Sequence, residues 1–221
     1  MHRALSSLLA PHYCYSCDSI GELLCQACKY NIASEPYAQC VVCGTPTSGD
    51  ESLCRHCIRP YSKAWCVGEK REALEKLIDA HKFERTKDVY RVFASLLDER
   101  LPVLPSDTII VPVPTVAKHI RQRGYDHTRL LAARFAQIRG LKVSTPLLRR
   151  NASSQRGASK QDRWVQAKEA FHSQILDGGR YLLIDDVFTT GATVEHAAKA
   201  MLEAGADDVW LAVVARQPLE K

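Results

Sequence analysis

Past Pro60 the apolar positions fall into two alternating rhythms. Leu74, Leu77 and Ile78 between Glu69 and Lys82 recur at three- and four-residue spacing, as do Val89, Val92, Phe93, Leu96 and Leu97 between Asp88 and Leu101. That spacing predicts two amphipathic helices facing a core, the second stopped by Pro102 and Pro105. Thr108 to Val113 reads as a short buried strand, Thr128 to Ile138 as a helix closed by Gly140, and Val143 to Leu148 as another strand. Tyr181-Leu-Leu-Ile184 is a fully apolar strand, Thr193 to Glu203 a helix ending before Gly205, and Val209 to Val214 a final strand. Strand and helix in alternation predict an α/β fold: a parallel sheet with flanking helices on both faces.

The first 60 residues follow neither rhythm. They are poor in branched aliphatics but hold four Cys-x-x-Cys pairs, Cys14/Cys17, Cys25/Cys28, Cys40/Cys43 and Cys54/Cys57. Two-residue separation suits tetrahedral thiolate ligation, and four thiolates on one zinc supply folding energy that the segment lacks from apolar burial. The expectation is a double zinc ribbon over residues 1–66, with one or two structural Zn²⁺ ions, followed by a second domain over 67–221. Spacing favours sequential sites, Cys14/Cys17/Cys25/Cys28 and Cys40/Cys43/Cys54/Cys57, with an interleaved pairing also open. Disulfides and a redox Cys-x-x-Cys are the competing readings. The ninth cysteine, Cys66, reads as a buried small hydrophobe.

Composition narrows the setting. In 221 residues, 25% charged and 46% hydrophobic, there is no apolar run of about 18, which excludes disorder and a membrane span. The amino terminus lacks the apolar core of a secretory signal, so the expected location is cytoplasmic. Between Lys118 and Lys168 thirteen cations face two acids, a local +11 in a chain of +5. Such a bias attracts polyanions, whether a pyrophosphate or a nucleic-acid backbone. Tyr125, Phe135 and Trp164 are the stacking candidates in that stretch.

The densest chemistry lies in Tyr181-Leu-Leu-Ile-Asp-Asp-Val-Phe-Thr-Thr-Gly-Ala-Thr193. Two acids, Asp185 and Asp186, end a buried strand, and a hydroxyl-rich turn then opens a helix. Open α/β sheets bind ligands at that place. Backbone amides of Thr189, Thr190, Gly191, Ala192 and Thr193 would converge on a phosphate at the helix's amino end, with Gly191 permitting close approach. The competing reading is an acidic strand end with a threonine cap.

This segment resembles the thirteen-residue phosphoribosyl pyrophosphate (PRPP) motif of type I phosphoribosyltransferases. Ile109-Ile-Val-Pro-Val-Pro114 and Arg121-Gln-Arg-Gly-Tyr-Asp-His127 resemble the VPVP and RGFNQ signatures of the ComF/GntX family of competence-associated proteins, and Leu148-Arg-Arg150, Gln155, Arg163 and Ala170-Phe171 fit its later pattern. Asp126-His127 departs from the family's Asn-Gln, and Phe188 is bulkier than the usual aliphatic. The resemblance implies a type I phosphoribosyltransferase-like fold in which Asp185 and Asp186 hold the ribose hydroxyls while Val187 to Thr193, including Val187, Phe188 and Ala192, form the 5′-phosphate loop. It further implies that Pro114, Thr115, Lys118, Arg121 and Arg123 bind pyrophosphate. Asn151 to Gln161 would be a lid over the site, with Lys160 and Arg163 as its catalytic cations; an unordered linker is the plainer alternative. The implied function is PRPP and Mg²⁺ binding with transfer of ribose-5-phosphate to an undetermined acceptor, in the service of DNA uptake. The rival is a non-catalytic adaptor, its basic stretch on single-stranded DNA and its ribbons on competence or recombination proteins.

Overall fold

Two nine-residue strands run through the centre of a computed structural model that describes residues 12–84, 86–149 and 171–219. β6 (Arg180–Phe188) and β7 (Asp208–Arg216) pair in parallel, from Arg180 against Asp208 to Phe188 against Arg216. β1 (Lys63–Glu69) lies outside β7, while β2 (Ile109–Pro112) and then β3 (Lys142–Val143) lie outside β6. The order β1-β7-β6-β2-β3 is wholly parallel, as expected when strands are apolar on both faces and crossovers are helical. β4 (Leu147–Arg149) and β5 (Phe171–Ser173) form a separate antiparallel pair.

Helices cover both faces. α2 (Glu72–Phe83), α3 (Val89–Arg100) and α5 (His127–Arg139) lay Leu77, Ile78, Phe93, Leu97, Leu131 and Phe135 against Trp65, Ile110, Leu182, Ile184 and Ala212. α6 (Ala192–Glu203) lays Val194, Ala197, Ala198 and Met201 against Cys66, Val111, Leu183, Leu211 and Val213 on the other side. Strand residues alternate between the two layers because the side-chain period is two. Each large apolar side chain removed from water contributes ~1.5–3 kcal/mol. Phe135 is one of them, fully buried, so its expected role in base stacking is overturned. Among the described residues, no helix is long and apolar enough to cross a membrane.

Several elements differ from expectation. β1 occupies Lys63–Glu69, where the helix had been expected to begin, and α2 starts only at Glu72. The strand expected over Val143 to Leu148 is two short ones in different sheets, with Pro146 between them; proline lacks the amide that a continuous ladder needs. Two helices carried no clear periodicity, α1 (Gln26–Ser34) and α4 (Ala117–Arg123). The 66/67 division also falls inside β1, so the last residues of the cysteine-rich segment are already sheet.

Candidate active site and metal centres

The eight paired cysteines form two clusters, Cys14/Cys17/Cys25/Cys28 and Cys40/Cys43/Cys54/Cys57. Within each, all ligand sulfurs lie within 4.8 Å of one another. Cys17 Sγ to Cys25 Sγ and Cys43 Sγ to Cys54 Sγ are both 3.7 Å. A zinc tetrahedron with bonds of ~2.3 Å has an edge of ~3.8 Å, whereas a disulfide is ~2.05 Å. The donor sets therefore fit tetrahedral Zn²⁺ in sequential pairing. Charge agrees, because four adjacent thiols cannot all ionise without a cation. The Thr45 hydroxyl and amide pull Cys43 down to about 6, while burial and the neighbouring sulfurs push Cys57 up to about 12. Cys66 is fully buried on β1, donates to the Gly68 carbonyl at 3.2 Å, and is pushed up to about 12 by burial.

The acid pair sits near the carboxyl end of β6, beside a pocket of about 270 Å³. Its walls are Val113, Pro114, Thr115, Val116 and His119 after β2, Arg123 and His127 around the start of α5, Lys82 from the end of α2, Arg149, Asp185 and Thr193. Asp185 stands on the wall, and burial together with the adjacent Asp186 raises its carboxyl well above the usual range. Asp186 is turned inward, 5% exposed. Its Oδ2 lies 2.8 Å from Lys82 Nζ and 3.2 Å from His127 Nε2. Burial would push this carboxyl up, but the His127 hydrogen bond and the Lys82 ammonium outweigh it and hold the group ionised, well below the usual carboxylate range.

The hydrogen bonds fix the His127 tautomer. Arg123 Nη1 lies 3.0 Å from His127 Nδ1, and a guanidinium can only donate. Nδ1 therefore accepts, and the ring proton sits on Nε2, the nitrogen 3.2 Å from Asp186 Oδ2. Arg123 Nε meanwhile donates to the Lys82 carbonyl at 3.0 Å, so α2 and α4 are tied together at the pocket. His81 lies behind, its ring 5.9 Å from that of His127, and burial pushes it down to about 4. Asp126 faces away from the pocket as the cap of α5: it accepts from the Arg129 amide at 3.2 Å, Thr128 Oγ1 at 2.9 Å and Thr115 Oγ1 at 3.1 Å.

The hydroxyl-rich turn opens α6. Thr189 and Thr190 are exposed, and Gly191 caps the helix at φ +84°. Among the described residues, the amides of Thr189 to Thr193 share a single hydrogen-bond acceptor, Thr190 Oγ1, 3.5 Å from the Ala192 amide. These donors are the ones a phosphate would take. Phe188 is not part of that surface. Its ring is buried beneath the turn, and a Cβ at Gly191 would come within 2.5 Å of it. Gly191 is thus required by packing from below as well as by its backbone angle.

Of the residues expected from sequence, Pro114, Thr115, Arg123, Asp185 and Thr193 meet at the pocket. Lys118 and Arg121 are exposed on α4 and do not line it. Lys160, Arg163 and Trp164 lie outside the described residues. Sequence reasoning missed Lys82 and quoted Arg149 only within a family pattern, without a role at the site; Arg149 donates to the Pro114 carbonyl at 3.4 Å. It flagged His127 only as a departure from a family pattern.

Residues 123–221 match the Pribosyltran family, described as the phosphoribosyl transferase domain. The chain is 29% identical over 210 residues to "Competence protein F" of Haemophilus influenzae, covering 87% of this chain and 90% of that protein. It is 24% identical over 201 residues to "Competence protein ComFC" of Bacillus subtilis, covering 83% and 80%. It is 26% identical over 209 residues to "DNA utilization protein YhgH" of Escherichia coli K12, covering 83% and 92%. The double Cys₄ segment, the parallel sheet and the acid-pair turn are all in place, and together with these similarities over most of the chain they support a ComF-like protein, a phosphoribosyltransferase-like fold behind two cysteine modules.

Proposed function

We propose that the pocket at the end of β6 binds PRPP with Mg²⁺ and that the protein serves DNA uptake or utilization, as the names of its relatives state for them. The observation that carries this reading is the convergence on one cavity of Asp185, three cations (Lys82, Arg123, Arg149) and, through Thr193, the amino end of a helix, with Asp186 buried behind them. PRPP needs that combination. Its 5′-phosphate takes the amides of Thr189 to Thr193. Its ribose hydroxyls meet Asp185, and Asp186 acts from behind by holding Lys82 and His127 in position. Its pyrophosphate faces Thr115, Arg123 and Arg149. Asp185, the acidic residue among those lining the pocket, is the protein group that would hold Mg²⁺, and a cation there would favour the charged form that burial disfavours.

In transfer, the bond from ribose C1 to pyrophosphate breaks. The cations stabilise the leaving group, and the aspartates bear on the positive charge developing on the ring. Calorimetric titration with PRPP and Mg²⁺ tests the site. Asp186→Asn should weaken binding about tenfold, the scale of one charge-assisted hydrogen bond, and Thr190→Val severalfold; unchanged affinity in both variants refutes the assignment.

A second reading draws on the exposed Lys118, Arg121, Arg129 and Lys142. These could hold a single-stranded DNA backbone while the PRPP site acts as a sensor and the cysteine modules dock a competence or recombination protein. That role requires DNA affinity to fall steeply with salt; the enzymatic one requires pyrophosphate release with some acceptor.

A further inference from the structure

The second cysteine module reaches the phosphate-binding turn in two ways. Arg59 follows Cys57 by two residues, so the knuckle fixes where its side chain begins. Its Nε lies 2.9 Å from Oε1 of Glu195, and the two side chains are 30% and 29% exposed. Glu195 sits in the first turn of α6, its amide bonded to the Gly191 carbonyl at 2.9 Å. The other link runs through β7. Arg216 Nε donates to the Val41 carbonyl at 2.9 Å, and the next residue, Gln217, donates its amide to the Phe188 carbonyl at 2.8 Å. Phe188 is the residue whose ring supports Gly191 from below.

The first link has an electrostatic consequence. The amino end of a helix favours negative charge, and a carboxylate in its first turn satisfies that preference internally. Left alone, Glu195 would compete with, and repel, any phosphate arriving at the amides of Thr189 to Thr193. An arginine at ion-pair distance cancels it.

We infer that Arg59 is a positioning residue for the sugar-phosphate ligand: by neutralising Glu195 it frees the positive end of α6 for the 5′-phosphate, which makes the second cysteine module part of the binding site. The inference rests on the PRPP reading above. It also assigns to a segment outside the phosphate turn a task that the turn cannot perform for itself.

The test is a double-mutant cycle in the full-length, zinc-loaded protein, with PRPP and Mg²⁺ titrated by calorimetry and each variant checked for zinc content and melting temperature. Arg59→Ala should weaken PRPP about fivefold, the scale of one uncompensated charge within a helical turn of the site. Arg59→Lys should stay near wild type. Glu195→Gln should bind slightly more tightly than wild type, and Arg59→Ala with Glu195→Gln should return to within about twofold of it, a non-additivity that reports the pair. A double variant as weak as Arg59→Ala would mean that the arginine merely holds the module in place, overturning the inference. Arg59→Ala equal to wild type would overturn it while leaving PRPP binding intact. A wild-type protein that does not bind PRPP would overturn both.

Discussion

The two cysteine modules are built alike and used differently. In each, the amide of the first cysteine donates to a carbonyl five residues on, Cys14 to Ser19 at 2.9 Å and Cys40 to Thr45 at 2.8 Å. In each, the second cysteine meets that residue's hydroxyl, Cys17 with Ser19 at 3.3 Å and Cys43 with Thr45 at 3.2 Å. A short antiparallel bridge follows in both, Tyr13 with Ile20 and Gln39 with Pro46. Beyond the knuckle they part. The first module continues into α1, buries Leu23 and Leu24 in the layer shared with α2 and α3, and pairs Lys29 with Glu99 of α3. The second forms no helix. It docks on the sheet edge, where Ser52 accepts the Cys66 amide at 3.1 Å and Arg100 reaches the Tyr37 carbonyl at 3.1 Å, and it sends Arg59 to the site helix. Local chemistry makes the knuckle, and the surrounding apolar and charged residues decide whether it serves the core or the site.

Removing a ligand from each module in turn should separate those roles most sharply. Cys25→Ser and Cys54→Ser should each forfeit much of the ~10–16 kcal/mol of apparent metal-binding energy available to a structural zinc site. Zinc content should halve in both and melting temperatures fall. PRPP affinity should fall much further in Cys54→Ser; equal losses would show that the modules do not differ in their bearing on the site. A smaller contrast lies in two glycines with the same angle, Gly191 and Gly124, both at φ +84°. A Cβ at Gly191 meets the buried Phe188 ring at 2.5 Å, and one at Gly124 meets nothing within 4 Å. Gly124→Ala should cost about 1 kcal/mol for its backbone alone. Gly191→Ala should cost ~1–3 kcal/mol more for overpacking and impair PRPP binding. Denaturant unfolding measures the difference, and equal costs would mean that Phe188 gives way freely. The smallest effect returns to the knuckles. Asp18 and Gly44 hold the same position, at φ +60° and φ +74°. Asp18→Gly should stabilise by a few tenths up to about 1 kcal/mol. Gly44→Ala should destabilise by about 1 kcal/mol, since φ +74° strains any residue with a Cβ, while the exposed Leu219 side chain that the Cβ would meet can move aside. Melting temperatures moving in the same direction would break the equivalence.

Much of this was legible in the sequence where chemistry is local. Cysteine spacing named the four knuckles, each closing within four residues, and favoured the sequential clusters without excluding an interleaved pairing. The acid pair and the hydroxyl-rich turn were legible because strand, acids and helix start are contiguous. What escaped depends on distant contacts. β1 looked like the tail of the cysteine segment because Ala64 to Val67 is a short apolar run whose strand identity comes from pairing with β7, nearly 150 residues away. Lys82 closes a helix and carries no motif; it becomes part of the site only because Arg123 ties the end of α2 to the pocket. Gly191 was read as making room for a ligand, and its second reason, the ring of Phe188, needed the packed structure. Asp126 and His127 stood out only as a departure from a family pattern, yet one caps a helix and the other lies 3.2 Å from Asp186.

The central claim is that a sugar phosphate seats in the pocket at the end of β6. A crystal structure of the protein soaked with PRPP and Mg²⁺ addresses it directly. The account predicts the 5′-phosphate on the amides of Thr189 to Thr193, the ribose at Asp185 and the pyrophosphate beside Thr115, Arg123 and Arg149. PRPP ordered elsewhere, or a turn whose amides stay paired within the protein with no anion admitted, would contradict it.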